Sequence, residues 1–356
     1  MITVNKNDFL NAIKATKTSC AKAGLQPILN TIHLKSENGG LTLTATDCTN
    51  TTRAVIEANA TEPIDICLNS EKLEAIVNRL DNEITIDIKD ANAHISSGKL
   101  NYKLLFVNSS EFPEISFEFN ENKVVLSVDE FRTAIEKTAF ATMLDTNMSV
   151  LSGVCFTFND TSYEVASTDG NRLSKIEFEN PYINITGKYI LPKKVLVDVA
   201  KYAKEEIEIY FDNQRVIFKT NNYLFASALI LGEYPDYNKL LPEKQPNIAV
   251  VDKKVMLTAL ENVSIMSDDR TNIVTLDFKG NELELMTNSV DVGEAKDTID
   301  VDFNSELKIC FNHRYLVEVL KVIETDTIQF AMGTNLSPCL INSEFLHLIM
   351  PIQPRG

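Results

Sequence analysis

Phe9-Leu10-Asn11-Ala12-Ile13 returns as Phe131-Arg132-Thr133-Ala134-Ile135, and in looser form as Met256-Leu257-Thr258-Ala259-Leu260. The offsets between these copies are 122 and 125 residues. Three more segments recur in the same order at nearly the same spacing: 69–73 with 192–196 and 312–316, Thr46-Asp47 with Thr168-Asp169 and Thr287-Asn288, and Glu111-Phe112-Pro113 with Glu233-Tyr234-Pro235 and Met350-Pro351. Such repetition predicts three similar domains, which we place at 1–118, 119–244 and 245–356.

Length and composition are those of an ordinary globular protein with more than one domain. The chain has 356 residues, of which 44% are hydrophobic and 24% are charged, and one core rarely serves so long a chain. No apolar run approaches the roughly 20 residues of a membrane span. The first residues lack the hydrophobic region of a signal peptide. We therefore expect a cytoplasmic protein.

Cysteine and histidine usage gives no sign of a metal or redox centre. The six cysteines form no Cys-x-x-Cys pair, and the four histidines are scattered without metal-ligand spacing. Buried, reduced thiols are the expected state of such cysteines. The sequence therefore predicts neither a metal nor a cofactor.

Each repeat is predicted to contain two units, and each unit is a helix followed by strands. Helical spacing of apolar residues marks the windows 6–22, 70–80, 129–142, 192–204, 252–262 and 312–324, with strand-like alternation between them. Six helices are too few to cover both faces of the sheets, which suits antiparallel sheets with one open face. The expected fold class is α+β, with two helices on antiparallel sheets in each domain. Candidate linkers lie at 114–122 and 242–248.

Charge is distributed unevenly between the helices and the rest of the chain. The net charge is −16, yet the six windows hold 16 Lys/Arg and 11 Asp/Glu, a net of +5 against −21 elsewhere. A general enrichment of lysine on helix surfaces is one explanation. The other is a helical surface that faces phosphates on a body that otherwise repels DNA. The candidate DNA-binding residues are Lys22, Arg79, Lys193, Lys194, Lys201 and Lys204.

The size of a DNA duplex sets how many helices could surround it. Six helices side by side, each about 10 Å wide, would leave a hole of about 9 Å, which is too narrow for a duplex. Twelve would leave about 28 Å, which admits a duplex roughly 20 Å wide with a layer of water. A chain of this kind would therefore encircle DNA only as a homodimer. The first repeat of one chain would meet the third repeat of the other, and this contact would occur twice.

Stretches of the second and third repeats resemble a known family. They are Ala166-Ser167-Thr168-Asp169-Gly170-Asn171-Arg172-Leu173, Gly232-Glu233-Tyr234-Pro235-Asp236-Tyr237 followed by Leu240-Leu241-Pro242, Phe311-Asn312 with Tyr315-Leu316, and the terminal Met350-Pro351. The whole chain is similar to the bacterial sliding clamp, the beta subunit of DNA polymerase III. The resemblance implies a homodimeric ring of six clamp domains that slides on double-stranded DNA without sequence preference. It also implies a processivity factor that tethers the replicative polymerase and has no catalytic residues.

The resemblance further implies a pocket between the second and third domains, where the polymerase and the clamp loader dock a short peptide. Apolar side chains of such a peptide would enter a groove while a few polar groups fix its direction. Carried over residue by residue, the pocket comprises Leu151, Thr168, Gly170, Asn171, Arg172, Leu173, Pro235, Lys239, Leu240, Asn312, Tyr315, Pro338, Leu348, Ile349, Met350, Pro351 and Ile352. Asn171 and Lys239 stand where the family commonly has histidine and arginine. The tail 353–356 runs past the expected edge of the groove.

For the dimer contact, the resemblance points to Tyr102 and Leu104 of one chain against Ile265 and Met266 of the other. The alternative for these four residues is core packing within their own domains, which is also the alternative for Leu173, Leu240 and Met350 in the pocket.

Two other functions compete with a clamp. An enzyme would use the cluster from Thr168 to Arg172 as an acid/base group beside a cation. No histidine or second carboxylate joins that cluster, and Thr46-Asp47 repeats it, which favours a turn at a strand end. The chain also lacks a glycine-rich phosphate loop. A repeat scaffold that binds only protein partners is the remaining alternative, and the charge pattern of the helices argues against it.

Overall fold

The computed structural model describes residues 1–22, 24, 26–37, 39–119, 123–144, 149–181, 183–212, 214–242, 245–268, 270–289 and 291–353. Parts of both predicted linkers (120–122 and 243–244) and most of the tail (354–356) lie outside these residues. The chain forms two compact units. Unit 1 comprises Met1–Arg132, Tyr182–Ile185 and Lys194–Leu229, and unit 2 comprises Thr133–Pro181, Thr186–Lys193 and Ile230–Gly356. The domain boundaries placed after 118 and 244 remain predictions.

Six α-helices occur among the described residues, two in each repeat. They are α1 (Lys6–Lys17), α2 (Ser70–Arg79), α3 (Val128–Thr138), α4 (Lys193–Tyr202), α5 (Lys253–Ser264) and α6 (His313–Val322). Five of them begin after a side chain that accepts a hydrogen bond from a first-turn N–H: Asn5, Asn69, Ser127, Asp252 and Asn312. None of these helices has the length and apolarity that crossing a membrane requires.

The strands are short and many. In chain order they are β1 (Ile2–Asn5), β2 (Thr31–Glu37), β3 (Gly40–Thr46), β4 (Asn50–Glu57), β5 (Asn59–Ala60), β6 (Asp65–Asn69), β7 (Glu83–Lys89), β8 (Asn92–Ser97), β9 (Leu100–Asn108), β10 (Lys123–Ser127), β11 (Gly153–Phe158), β12 (Ser162–Thr168), β13 (Arg172–Glu179), β14 (Gly187–Pro192), β15 (Glu206–Phe211), β16 (Arg215–Lys219), β17 (Tyr223–Ala228), β18 (Asn247–Asp252), β19 (Ile273–Lys279), β20 (Glu282–Ser289), β21 (Gly293–Asp300), β22 (Glu306–Asn312), β23 (Thr327–Met332), β24 (Cys339–Asn342) and β25 (Leu346–Ile349).

These strands form one large sheet in unit 1 and two smaller sheets in unit 2. The sheet of unit 1 has the order β10-β15-β16-β17-β4-β3-β2-β6-β9-β8-β7-β1-β5. Those of unit 2 are β14-β11-β12-β13-β25-β24-β23-β18 and β21-β20-β19-β22. Every pairing between described strands is antiparallel, from β1 with β5 to β24 with β25. The predicted α+β class, with antiparallel sheets and two helices per repeat, is confirmed.

Each unit joins two successive repeats through one antiparallel strand pair. In unit 1, β17 of the second repeat pairs with β4 of the first, and Phe225 lies opposite Thr52. In unit 2, β25 of the third repeat pairs with β13 of the second, and His347 lies opposite Ser174. β17 and β25 hold the same place in their repeats, as do β4 and β13. The chain therefore builds the same junction twice.

Side-chain hydrogen bonds show that one part of the predicted repeat alignment is off by a residue. Ser167 donates to the Thr138 carbonyl at the end of α3, and Thr287 donates to the Val263 carbonyl near the end of α5, at 2.6 Å for Thr287. Thr287 therefore corresponds to Ser167, not to Thr168. Because loop lengths differ between the second and third repeats, a fixed offset between the repeats could not give this correspondence.

Five of the six helices are shorter than the predicted windows, while α5 runs to Ser264, past the predicted end at 262. α1 ends at Lys17 and α4 at Tyr202, so Lys22 and Lys204 lie beyond the helices, and a 3-10 turn (Ala139–Ala141) follows α3. Within the observed bounds, the helices carry 14 Lys/Arg and 9 Asp/Glu, a net of +5, which leaves 20 and 41, a net of −21, in the rest of the chain. The contrast between basic helices and an acidic remainder is thus a property of the helices themselves.

Candidate functional site

The junction between β13 and β25 in unit 2 brings many of the predicted pocket residues together. Arg172, the first residue of β13, lies opposite Ile349 at the end of β25. Leu173 lies opposite Leu348 in the same ladder. One rim of the predicted groove is therefore a pair of hydrogen-bonded strands, which is a rigid support for a binding site.

The chain that leaves β25 is held by backbone hydrogen bonds on both sides. The N–H of Met350 donates to the Asn171 carbonyl oxygen at 2.8 Å. The N–H of Ile352 donates to the Cys310 carbonyl oxygen at 2.7 Å. These bonds fix the segment from Met350 to Ile352, whose side chains are half-buried. The segment is thus attached to the turn before β13 and to β22.

The Thr-Asp motif of the second repeat is a turn, as predicted. Asp169 Oδ1 accepts the N–H groups of Asn171 and Arg172 at 2.9 and 3.2 Å, and Gly170 has a φ of 90°. The first repeat builds the same turn, in which Asp47 Oδ1 accepts two N–H groups at 2.9 and 2.6 Å. An aspartate side chain that stabilises its own turn explains the recurrence without any acid/base chemistry.

The Arg172 side chain is committed to internal contacts. Its guanidinium donates to Asp169 at 3.0 Å, to the Phe140 carbonyl at 2.7 Å and to the Glu318 carboxylate. The guanidinium carbon also lies 4.2 Å from the centre of the Tyr315 ring. Only 6% of Arg172 is exposed. Arg172 thus ties α6 to the Asp169 turn and to the 3-10 turn that follows α3, and its charged head is not free for a peptide.

Several of the predicted pocket residues belong to a cluster of apolar side chains or pack against it. Its fully buried members include Leu173 and Leu348, and Leu151 and Met350 pack against it from a half-buried position. Tyr234 and Tyr237 belong to the same cluster, with ring centres 6.1 Å apart. Apolar groups that are partly exposed beside a buried cluster are what a peptide with aliphatic side chains would contact.

The predicted pocket residues differ in exposure. Those that are buried, and therefore serve as floor rather than as contact surface, are Thr168, Arg172, Leu173, Leu348 and Ile349. Those that are half-buried are Leu151, Asn312, Tyr315, Pro338, Met350, Pro351 and Ile352. Those that are exposed are Gly170, Asn171, Pro235, Lys239 and Leu240. The alternative of core packing thus holds for Leu173, while Leu240 and Met350 remain accessible.

Several residues of this junction are absent from the sequence-based prediction. The Tyr234 hydroxyl accepts the Thr168 N–H at 3.0 Å, and the Tyr237 hydroxyl donates to Glu164. Val150 packs against the apolar cluster beside Leu151. The Glu-Tyr-Pro segment that recurs between repeats pointed toward Tyr234. Nothing in the local sequence marked Glu318, because its importance depends on Arg172 in another repeat.

A buried lysine ties α3 to the third repeat. Lys137 is 1% exposed, and its ammonium lies 2.9 Å from Glu324, 3.0 Å from Glu344 and 5.7 Å from the centre of the Phe345 ring. It also donates to the Val322 carbonyl at the end of α6. A buried lysine persists only with such partners, because an unpaired charge there would cost several kcal/mol.

The candidate DNA-binding residues lie in three kinds of surroundings. Lys22, Arg79 and Lys204 are exposed and form no ion pair with described residues. Lys194 lies 3.6 Å from Asp47, and the Lys201 ammonium lies 5.1 Å from the centre of the Tyr202 ring. Lys193 is half-buried, and burial lowers its pKa.

The candidate dimer residues are partly exposed. Tyr102 and Leu104 on β9 are half-buried against the core of unit 1. Ile265, which ends α5, is 75% exposed, and Met266 is 36% exposed. The alternative of internal core packing thus applies in part to the first pair and little to Ile265. Within the described part of the chain, no group of three or more His, Cys, Asp or Glu side chains could hold a metal ion.

Comparison with protein-family models matches the whole chain to one family in three parts. Residues 1–116, 125–236 and 238–353 match the N-terminal, central and C-terminal domains of the DNA polymerase III beta subunit, in that order.

Individual relatives and solved structures agree with these matches. The beta sliding clamp of Synechococcus elongatus is 28% identical over 369 residues, with 99% of this chain and 98% of the relative covered. That of Chlamydia muridarum is 26% identical, with 98% of each covered. The DNA polymerase III beta subunit of Thermotoga maritima superposes with a TM-score of 0.92 at 24% identity, with 99% of both chains covered. A sliding clamp from Bartonella birtlesii bound to griselimycin superposes with a TM-score of 0.92 at 26% identity, again with 99% of both chains covered.

Proposed function

We propose a function from one premise: the chain belongs to the DNA polymerase III beta subunit family, whose three domain models it matches in order. It is a sliding clamp. Two chains form a head-to-tail ring around double-stranded DNA, without sequence preference, and act as the processivity factor of the replicative polymerase. The clamp catalyses no reaction and stays on DNA because a closed ring cannot fall off. Its place of action is the cytoplasm, where a bacterial chromosome is copied.

The proposal of a ring rests on two strands that each have an unpaired edge. β17 joins β4, and β25 joins β13, so a late strand of each repeat pairs with an earlier strand of the preceding repeat. The corresponding strands left over are β9 of the first repeat and β21 of the third. Among described strands, residues 100–105 of β9 pair only with β8, and β21 pairs only with β20. We propose that a third junction of the same kind forms with another chain, so that two chains form it twice.

The two internal ladders also give the expected register of the contact. Asn101-Tyr102 in β9 matches Asn222-Tyr223 at β17, so Leu104 takes the place of Phe225. Ala295 in β21 takes the place of Thr52 and Ser174, because Thr287 corresponds to Ser167. We therefore expect Leu104 of one protomer opposite Ala295 of its partner. Ile265 and Met266 at the end of α5 would add apolar area beside this pair.

The distribution of charge supports weak, non-specific binding to DNA. The helices carry a net of +5 and the remainder −21. Exposed lysines and arginines without ion pairs, such as Lys22 and Arg79, can attract phosphates through a layer of water. The acidic remainder disfavours binding of DNA elsewhere on the surface. Such an arrangement suits a ring that must slide.

Retention on DNA tests the topological mechanism. The chain is loaded with a clamp loader onto a nicked circular plasmid, passed through a sizing column, and measured again after one double-strand cut. We expect retention on the circle and loss after the cut, because a ring leaves through a free end. Equal retention on circular and linear DNA would refute encirclement, and no retention on either would favour a scaffold that binds only proteins.

Sedimentation tests the dimer separately. The wild-type chain should sediment at about 80 kDa, twice its 39.9 kDa. Ile265→Arg should shift the mass toward the monomer because it places a charge in the proposed contact. Val255→Arg is a matched control, since Val255 is also on α5 and is 45% exposed. The proposed interface would be contradicted if both substitutions dissociated the dimer equally, or if neither did.

The apolar groove of unit 2 is the proposed docking site for partner peptides. A fluorescent peptide from the replicative polymerase should bind it, and Met350→Ala should weaken binding roughly tenfold because it removes about 1–2 kcal/mol of apolar contact. Val255→Ala is the control for a general effect of truncating an accessible apolar side chain. Peptide affinity that is unchanged by Met350→Ala would show that the groove lies elsewhere.

A further inference from the structure

A cavity of about 650 Å³ opens in unit 1, where the end of β4 meets the start of β17. Asp8 and Asn11 of α1 line one wall, Glu57 of β4 another, and Tyr223 of β17 a third. A second crevice of about 630 Å³ shares Asp8 and Glu57 with the first. Cavities of this size bind small ligands or the side chains of a partner.

The carboxylates of the cavity lack cationic partners. Asp8 and Glu57 form no ion pair with described residues, and the same holds for Glu83 in the adjoining crevice. Of the described residues that line the first cavity, Lys204 is the one cation, and its side chain is exposed. The cavity therefore has an excess of negative charge that a bound cation would neutralise.

Aromatic rings form part of the same wall. The ring centres of Tyr202 and Tyr223 are 5.7 Å apart, and both side chains are half-buried. Burial raises the pKa of Tyr223, and Tyr202 and Asp8 raise it further. Asp8 and Tyr223 both line the cavity. A carboxylate beside an aromatic face suits a guanidinium, which stacks on the ring while its N–H groups reach the oxygens.

Unit 2 shows how this chain binds cations of its own. Arg172 lies between the Asp169 and Glu318 carboxylates with its guanidinium over the Tyr315 ring. Lys137 uses two glutamates and the Phe345 ring. Both cations are held by paired carboxylates and an aromatic ring.

The first repeat lacks the lysine that occupies the corresponding place in unit 2. Tyr223 holds the same strand position as Phe345, and Ala15 stands on α1 where Lys137 stands on α3. Among the described hydrogen bonds, Lys6 and Lys17 of α1 donate to α2 and the residue after it, and no lysine of α1 donates to the end of α4. The positions of Glu324 and Glu344 are held by Lys204 and Asn222 in unit 1, so the cavity does not repeat the lysine site. Its own carboxylates, Asp8 and Glu57, are exposed and accessible to a cation from outside.

We propose that this cavity binds an arginine side chain of a partner protein, with Asp8 and Glu57 accepting from the guanidinium and Tyr223 stacking on it. The site shares no residue with the apolar groove of unit 2. It gives a clamp a second point of attachment, selected by charge rather than by apolar contact. The proposal does not depend on ring closure or on the groove.

Fluorine NMR of the full chain labelled with 3-fluorotyrosine tests the proposal. The chain has 10 tyrosines, and Tyr202→Phe and Tyr223→Phe assign the two relevant signals. The probe is N-acetyl-arginine-methylamide, and N-acetyl-citrulline-methylamide is a neutral control of nearly the same shape. We expect saturable shifts of both signals with a Kd on the order of 1–10 mM for the arginine probe, and none for citrulline.

Three variants make the test specific. Asp8→Asn should weaken binding of the arginine probe roughly fivefold, while Glu71→Gln, a carboxylate in the first turn of α2, should leave it unchanged. Lys204→Ala should strengthen binding about twofold by removing a competing cation. The proposal is overturned if citrulline shifts the signals equally, if the arginine probe gives no shift at about 50 mM, or if Asp8→Asn and Glu71→Gln have equal affinities.

Discussion

His347 is a buried imidazole whose removal should change how stability depends on pH. The residue is 0% exposed at the β13–β25 junction, and both ring nitrogens lack a hydrogen-bond partner among the described residues. Its ring lies 5.5 Å from that of Phe140. Burial, aided by the nearby Arg172 charge, lowers the pKa of His347 from 6.5 to about 3. The folded state therefore holds the imidazole neutral at pH values where the unfolded chain would protonate it.

The sign and size of the effect follow from that pKa. Because the folded pKa is lowered, the unfolded state binds more protons between pH 6.5 and pH 3, and stability falls as the pH falls through this window. Each pH unit below 6.5 costs about 1.4 kcal/mol. Between pH 8 and pH 5, His347 should therefore cost the folded state about 2 kcal/mol.

His347→Leu removes the titrating group while keeping a side chain of similar size. Leucine already holds the corresponding position of the first repeat, at Leu104, and the second repeat has Phe225. At pH 8 the variant should be at least as stable as wild type, because two unpaired buried nitrogens disappear. At pH 5 its advantage should grow by about 2 kcal/mol.

Urea unfolding at pH 8, 7, 6 and 5, together with hydrogen exchange of the β25 amides, measures this difference directly. Other titrating groups affect both proteins equally and cancel in the comparison. Stability differences that stay constant from pH 8 to pH 5 would refute the reasoning, because they would show that His347 is not held neutral by burial.

Three further predictions concern packing and ion pairs. Lys137→Met should lower the free energy of unfolding by roughly 2–4 kcal/mol, because Glu344 and the end of α6 lose a buried cation. Urea unfolding measures this loss. A loss below about 0.5 kcal/mol would mean that the pairing is not stabilising. Gly153→Ala should lower stability by about 1–3 kcal/mol, since a Cβ there would lie 2.6 Å from Ile190 Cγ2 and 2.8 Å from Ile230 Cδ1, whereas Gly24→Ala, which meets only the Lys22 carbonyl oxygen at 3.4 Å, should have little steric cost. Hydrogen bonds from Lys123 and Lys219 lower the pKa of Glu208 to about 2. Glu208→Gln should therefore lower the free energy of unfolding by about 1 kcal/mol at pH 7, after allowance for solvent screening, and this cost should vanish as the pH falls from 4.5 toward 2. A cost that is the same at about pH 7 and about pH 2.5 would contradict the ion-pair account.

The local pattern of the sequence was enough to predict the elements. Phe9, Ala12 and Ile13 recur at helical spacing and are buried on α1 as expected. The ends of the helices were less predictable, because the apolar spacing of α1 continues to Cys20 while the α-helix ends at Lys17 and the chain continues in turns, with the Cys20 N–H donating to the Lys17 carbonyl. The offset of Thr287 was also misjudged, since loop lengths differ between repeats.

The sequence was enough to predict which residues lie at the site, but not which of them contact each other. The family resemblance named Arg172 and Tyr315, which do lie together, with 4.2 Å between guanidinium carbon and ring centre. It could not show that Asp169, Glu318 and the Phe140 carbonyl occupy the arginine's donors, because these partners are far apart in the chain. Spacing rules reach only along one element, whereas this network spans α3, the β12–β13 turn and α6.

The two junctions share one backbone plan, and their side chains decide which of them can bind an apolar peptide. In unit 2, Leu173, Leu348 and Met350 supply the apolar floor and rim. The ladder positions that correspond to them in unit 1 hold Thr51, Ala226 and Ala228.

Polar pairing completes the difference. In unit 1, Ser227 donates to Asn50 Oδ1 at 2.9 Å, and Asn50 stands where unit 2 has Arg172. Hydroxyl and amide groups that already satisfy each other offer little to an aliphatic side chain, because transferring it there removes less apolar surface from water. We therefore expect the repeated fold to provide one groove per chain, and two in the proposed dimer, through substitutions at a few positions rather than through a different architecture.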